Sequence, residues 1–177
     1  MAPLVLLVIL GLFAMPNYYE YRPQVELQET AHALEKLVLS ARHASVESGN
    51  AYLAFDPAGR SVAFFEGEPG GAAAPRSQLS LPGSLTFGYD EKVQPFPSLL
   101  LEDGTNLAVA DDGVTFENNT LLFGGGLLEG FPGLIYLRSN QGENLALYVR
   151  ISGDVQLHEW DGQRWNRRTE LAARYPQ

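Results

Sequence analysis

The chain contains no cysteine. That excludes a disulfide framework, thiolate zinc sites, a cysteine nucleophile and lipid attachment through a thiol. No lysine or arginine occurs before Arg22, and no charge of either sign before Glu20. A cleaved secretory signal needs a basic start and small residues at its cleavage point. The segment FAMPNYY, Phe13 to Tyr19, offers proline and bulky side chains instead. Cations are few throughout, 12 against 21 acidic groups, for a net charge of −9. Such a surface repels phosphate backbones unless its basic groups cluster. Histidines number three, His32, His43 and His158, and no G-x-S-x-G, H-E-x-x-H or P-loop sequence occurs. No base, nucleophile or metal cage is assembled, so the expectation is a non-enzyme without cofactor.

What is present begins with LVLLVILGLFAM, Leu4 to Met15, within an uncharged stretch from Met1 to Tyr19. As a helix, nineteen residues rise about 28 Å at ~1.5 Å each, close to the ~30 Å hydrocarbon thickness of a bilayer. Asn17, Tyr18 and Tyr19 suit an interfacial belt. A core helix with no polar face would need burial all round. A membrane or intersubunit helix therefore fits better, with Leu4, Leu7, Ile9, Leu12, Phe13 and Pro16 as its assembly residues.

Beyond Pro16 and Pro23 the pattern changes. Leu27, Ala31, Leu34, Val38 and Ala41 recur at spacings of four and three, widened by Leu37 and Ala44. At ~100° per residue they form one stripe, with Glu29, His32, Lys36, His43 and Glu47 opposite. Gly49 supplies a left-handed C-cap. The prediction is a fully apolar half-helix joined through proline kinks to an amphipathic one.

With 18 glycines and 11 prolines, most beyond residue 55, the remainder reads as strands and tight turns. AYLAF, the turn Asp56-Pro57-Ala58-Gly59 and RSVAFFEGE predict a hairpin, followed by a small-residue loop. Leu79, Leu81, Leu85 and Phe87 alternate, but Pro82-Gly83 breaks any single strand. Asp103-Gly104 and Asp112-Gly113 carry hairpin chemistry. The last third predicts strands at Leu134–Arg138, Leu145–Ile151 and Val155–Trp160, with Leu145, Leu147, Val149 and Ile151 on one face.

The polar groups give bland readings beside sharp ones. His158 reads as a half-exposed strand residue. Asp90-Glu91 and Asp111-Asp112 lack the D-x-D-x-D-G spacing of a calcium loop and read as turn carboxylates. Gly124 to Gly126 reads as a loop. Arg164, Arg167, Arg168 and Arg174 cluster beside Trp160 and Trp165. They could contact phosphates or bases, or form a solvated tail paired with the acidic surface.

The order of these parts resembles the GspH/FimT-type minor pseudopilins of the type IV pilin-like family. The resemblance rests on the apolar start, Pro16, and LEKLVLSARHASVESGNAYLAF, in which Ala41-Arg42 matches an Ala-Arg pair ahead of the first strand. It also rests on the closing segment from Leu121 to Trp165, with Gly153 at a strand junction. The family's basic leader, its glycine and its Phe-Thr-Leu-Ile-Glu start are not found, which implies that the true start lies upstream of Met1.

The resemblance implies an α+β fold, with a long N-terminal helix followed by an antiparallel β-sheet domain. The units read as 1–19 apolar helix, 20–49 amphipathic helix, 50–166 β domain and 167–177 tail. It implies a minor structural subunit of a type II secretion pseudopilus or a type IV pilus. Such a subunit is single-pass in the inner membrane, with its β domain extracytoplasmic, and joins the filament on assembly. Its partners would be other pilin or pseudopilin subunits and a prepilin peptidase. Two alternatives stay open: a minor pilin binding DNA through Arg164, Arg167 and Arg168, and a signal-anchored β-domain binding carbohydrate or protein.

Overall fold

The computed structural model describes residues 2–71, 74–96 and 110–168, with residues 2–21 described by their backbone alone. One helix, α1 (Ala2–Ser48), leads into ten strands. In order these are β1 (Asn50–Asp56), β2 (Ser61–Glu66), β3 (Ser77–Ser80), β4 (Leu85–Phe87) and β5 (Thr120–Gly124). Then come β6 (Leu127–Leu128), β7 (Gly133–Ser139), β8 (Asn144–Val149), β9 (Val155–Trp160) and β10 (Trp165–Arg167). Helical backbone continues through Pro16 and Pro23, so neither proline ends the helix. Gly49 closes it at φ +93°, donating its N–H to the Ser45 carbonyl at 3.0 Å.

The expected antiparallel β domain is built of two five-stranded sheets. Their orders are β3-β2-β1-β5-β6 and β10-β9-β8-β7-β4. The division falls at Pro82-Gly83: β3 pairs with β2 in the first sheet and β4 with β7 in the second. Proline has no N–H for a ladder, so the alternation of Leu79 to Phe87 is split between sheets rather than merely interrupted. The predicted β1–β2 hairpin forms, with Asp56 opposite Ser61. Asp112-Gly113 turns the chain into a bridge between Val114 and Ile135, while Asp103-Gly104 lies outside the described residues.

The amphipathic stripe of α1 makes the core. Leu27, Ala31, Leu34, Val38, Ala41 and Ala44 are all buried. They share one apolar cluster with Leu53 of β1, Phe123 of β5, Leu137 of β7 and Leu147 of β8, so the helix binds both sheets. Glu29, His32, Lys36, His43 and Glu47 face solvent. Along β8, Leu145, Leu147 and Val149 are buried against the helix, but Ile151 is 56% exposed. The strand stops at Val149, and the turn closed by Gly153 N–H to the Arg150 carbonyl carries Ile151 off the sheet.

The other face of the second sheet is also covered. Leu134, Tyr136 and Ala146 form a separate buried cluster with Phe96, flanked by Tyr89, Tyr148 and Trp165. The segment leading from β4 to Phe96 lies over this face. It is tied down by Phe96 N–H to the Tyr136 hydroxyl at 3.2 Å and the Trp165 indole N–H to the Gln94 carbonyl at 2.8 Å.

Candidate assembly surface

The described C-terminal half of α1 meets the β domain at Arg42. Its Nε donates to the Gly126 carbonyl at 3.2 Å, and a terminal nitrogen donates to Asp154 at 3.1 Å. Gly126 belongs to the β5–β6 turn and Asp154 to the β8–β9 turn, so one side chain links the helix to a turn of each sheet. The Arg42 stem runs against Gly153, where a Cβ would approach its Cδ to 2.7 Å. Ser45, fully buried one turn on, donates to the Arg42 carbonyl and accepts the Gly126 N–H at 2.9 Å. The Asp154 carboxyl is held below its usual range, first by the Ser152 hydroxyl and then by Arg42.

The glycine run Gly124 to Gly126 is the turn that makes this junction possible. Gly125 and Gly126 have φ +57° and +86°, the two left-handed positions of a tight hairpin. A Cβ on Gly126 would also sit 2.7 Å from a Val46 methyl. The helix and the hairpin thus meet with no room for a side chain between them.

Around this junction the surface is aliphatic. Val46, Leu127 and Ile151 are each more than half exposed, and Leu39 lies two turns back on the same side of α1 as Val46. The Leu128 N–H donates to the Ile151 carbonyl, which places Leu127 and Ile151 at neighbouring positions. Large aliphatics gathered at one place, rather than scattered singly, mark contact surfaces.

The predicted site residues fare differently. Leu4, Leu7, Ile9, Leu12, Phe13 and Pro16 lie among residues described by helical backbone alone. Among the described residues, no helix is long and apolar enough to cross a membrane. Arg164, Arg167 and Arg168 are adjacent in sequence but occupy three settings. Arg164 lies 3.8 Å from Asp161 in the β9–β10 turn. Arg167 ends β10 opposite His158. Arg168 reaches back to α1, its guanidinium 3.1 and 3.3 Å from the Gln28 amide oxygen once that amide faces it. Arg174 lies outside the described residues.

Asp112 serves its turn, accepting the Val114 N–H and the Asn119 amide, while the backbone N–H of Asp90 donates to the Asn144 side chain. His158 departs from expectation. It is 8% exposed, with neither ring nitrogen hydrogen-bonded, and its ring lies edge-on to Phe96 at 4.7 Å. The alternation of β9 assigns its face but says nothing of the segment lying over that face. The Arg42 contacts were equally invisible, although Ala41-Arg42 is a motif, because both partners lie in distant turns.

A helix-first α+β chain whose helix packs across two antiparallel sheets has the type IV pilin-like fold. The type IV minor pilin FimU of Pseudomonas aeruginosa strain PAO1 is similar in structure, at 17% identity and a TM-score of 0.53, covering 82% of this chain and 96% of that one. The minor pseudopilin EpsH of the Vibrio cholerae type 2 secretion system matches at 12% identity and a TM-score of 0.46, covering 75% and 95%. No family model matches the chain, and neither does any curated protein sequence.

Proposed function

We propose that this chain is a minor, pilin-like structural subunit of a type IV pilus or a type II secretion pseudopilus. The single observation that carries the reading is the fold, which aligns with nearly the whole length of a minor pilin and places one long helix ahead of two sheets. The physical chemistry agrees. Residues 1–19 can satisfy their backbone internally in lipid before assembly. Afterwards they bury the same surface against like helices, where close packing replaces acyl chains. Residues 20–49 hold the β domain, 50–166, on the extracytoplasmic side of the inner membrane. Leu39, Val46, Leu127 and Ile151 add an apolar surface for a neighbouring subunit. Other pilin or pseudopilin subunits are the partners, a prepilin peptidase would process the precursor, and the role is architectural rather than catalytic.

The absence of native cysteine makes the test direct. Leu12→Cys, expressed with the assembly machinery, should enter sheared filaments and form disulfide-linked products with a cysteine placed in a neighbouring subunit's helix. A chain that stays wholly in the membrane fraction, with no such product, would overturn the reading in favour of a signal-anchored module acting alone. DNA binding is not adopted as a second reading, because Arg164, Arg167 and Arg168 belong to three different settings.

A further inference from the structure

At one end of the second sheet, a cleft of about 550 Å³ opens between the middle of α1, the segment 90–93, the β7–β8 turn and the β9–β10 turn. Pockets of roughly 300–1,000 Å³ are the size that holds small ligands. Its apolar lining is small: Leu27, Val93 and Leu145, all buried. The rest is polar and of mixed kind. Gln24, Gln28, Gln141 and Asn144 bring carboxamides, which both donate and accept. Asp90, Glu143 and Glu159 are acceptors when ionised, while Lys92 and Arg168 only donate. Trp160 adds a half-buried indole at the rim.

The walls are pre-organised. Asn144, 2% exposed, donates to the Gly142 carbonyl at 2.7 Å and accepts the Asp90 N–H at 3.0 Å, so it ties the β7–β8 turn to the segment opposite. Trp160 rests edge-on against Trp165 at 5.5 Å, and Trp165 is itself hydrogen-bonded to Gln94. Arg168 and Gln28 join the helix wall to the sheet wall. Burial, reinforced by the neighbouring Glu159 carboxylate, holds the Glu143 carboxyl above its usual range despite an opposing hydrogen bond from Ser139. Preformed walls spare a ligand the cost of ordering them.

We propose that this cleft binds a neutral polyhydroxylated ligand, a short stretch of oligosaccharide chain. Three carboxylates against two cations oppose a phosphate or an acidic glycan. Hydroxyl groups donate and accept at once, so they satisfy acceptor-only carboxylates, donor-only cations and carboxamides side by side. The indole face gives the C–H face of a sugar ring an apolar platform. A peptide is disfavoured because the cleft sits at strand ends, where the sheet offers no free ladder for an added strand. The proposal rests on the helix and the second sheet of a single chain and does not depend on filament assembly.

The test uses the full chain in a zwitterionic detergent, so that no detergent sugar competes. Chitotetraose, cellotetraose and maltotetraose are titrated by ligand-observed NMR and calorimetry. At least one should bind with millimolar or tighter affinity. Trp160→Ala should weaken it by at least about tenfold, and Glu159→Ala should weaken it measurably. Trp160→Phe should retain most of the affinity, and far-UV circular dichroism should show each variant folded. The proposal is overturned if none of the three binds, if folded Trp160→Ala binds as tightly as the parent, or if inorganic phosphate competes for the site.

Discussion

At the scale of the residue, two side chains carry more than their positions suggest. Arg42 gives charge-assisted hydrogen bonds to Gly126 and Asp154, which belong to different sheets. Its side chain is about one-third exposed and its partner more than half, so solvent screens the ion pair and the carbonyl contact matters more. Arg42→Ala is expected to cost about 1 kcal/mol in urea unfolding, and Asp154→Ala less. If the two cost the same, the Gly126 contact contributes nothing.

His158 acts through what it lacks. Burial, and to a lesser degree Arg167, depress its pKa below the ordinary histidine value. The groups around it are the Phe96 ring, Ala146 of β8 and Arg167 of β10, none of them an anion. A base whose folded pKa is depressed binds fewer protons folded than unfolded. Its contribution is therefore constant above the unfolded pKa of about 6.5, and stability declines as pH falls below it. Urea midpoints should drop from pH 7.5 to pH 5, and His158→Phe should flatten that slope. The same variant should be neutral or stabilising at pH 7.5, because it removes two buried polar atoms that have no partner. An unchanged slope would place the acid sensitivity in other groups.

At the scale of the element, α1 illustrates how one helix serves two sheets. Leu34, in the cluster that includes strands of both, is the largest fully buried side chain described on the helix. Leu34→Ala should cost roughly 2–5 kcal/mol, at the upper end if the sheets cannot close over the cavity. The β5–β6 hairpin gives the complementary case. Gly126→Ala meets both a left-handed backbone and the Val46 methyl, so it should destabilise. Trimming Val46 to alanine in the same chain should recover only the steric part. Full recovery in the double variant would show that the backbone conformation costs little.

At the scale of the molecule, the helix packs against both sheets in one apolar cluster, which predicts that they unfold as one cooperative body. Both tryptophans lie at the β9–β10 edge of the second sheet, far in sequence from the first. Tryptophan fluorescence and far-UV circular dichroism of the β domain should therefore report coincident unfolding transitions. A fluorescence transition preceding the other would mean that the second sheet opens separately. In the filament reading, this rigidity lets the β domain be carried as a unit when the apolar half-helix moves from lipid to neighbouring helices.

What the sequence by itself determined is the part written in local periodicity. The stripe from Leu27 to Ala44, the cap at Gly49, the β1–β2 hairpin and strands β7, β8 and β9 are set by spacing and turn chemistry that act over a few residues. Tertiary structure decided what periodicity cannot encode. Alternation assigns a side chain to a face, but it does not say which sheet owns the strand or what covers that face. Hence Leu79 and Phe87 separate into two sheets, Ile151 leaves the face it was expected to share, and His158 disappears beneath Phe96. The Arg42 junction and the polar cleft arise only when turns and segments distant in sequence from the helix fold back onto it. Such contacts depend on chain closure and packing, which no local pattern records.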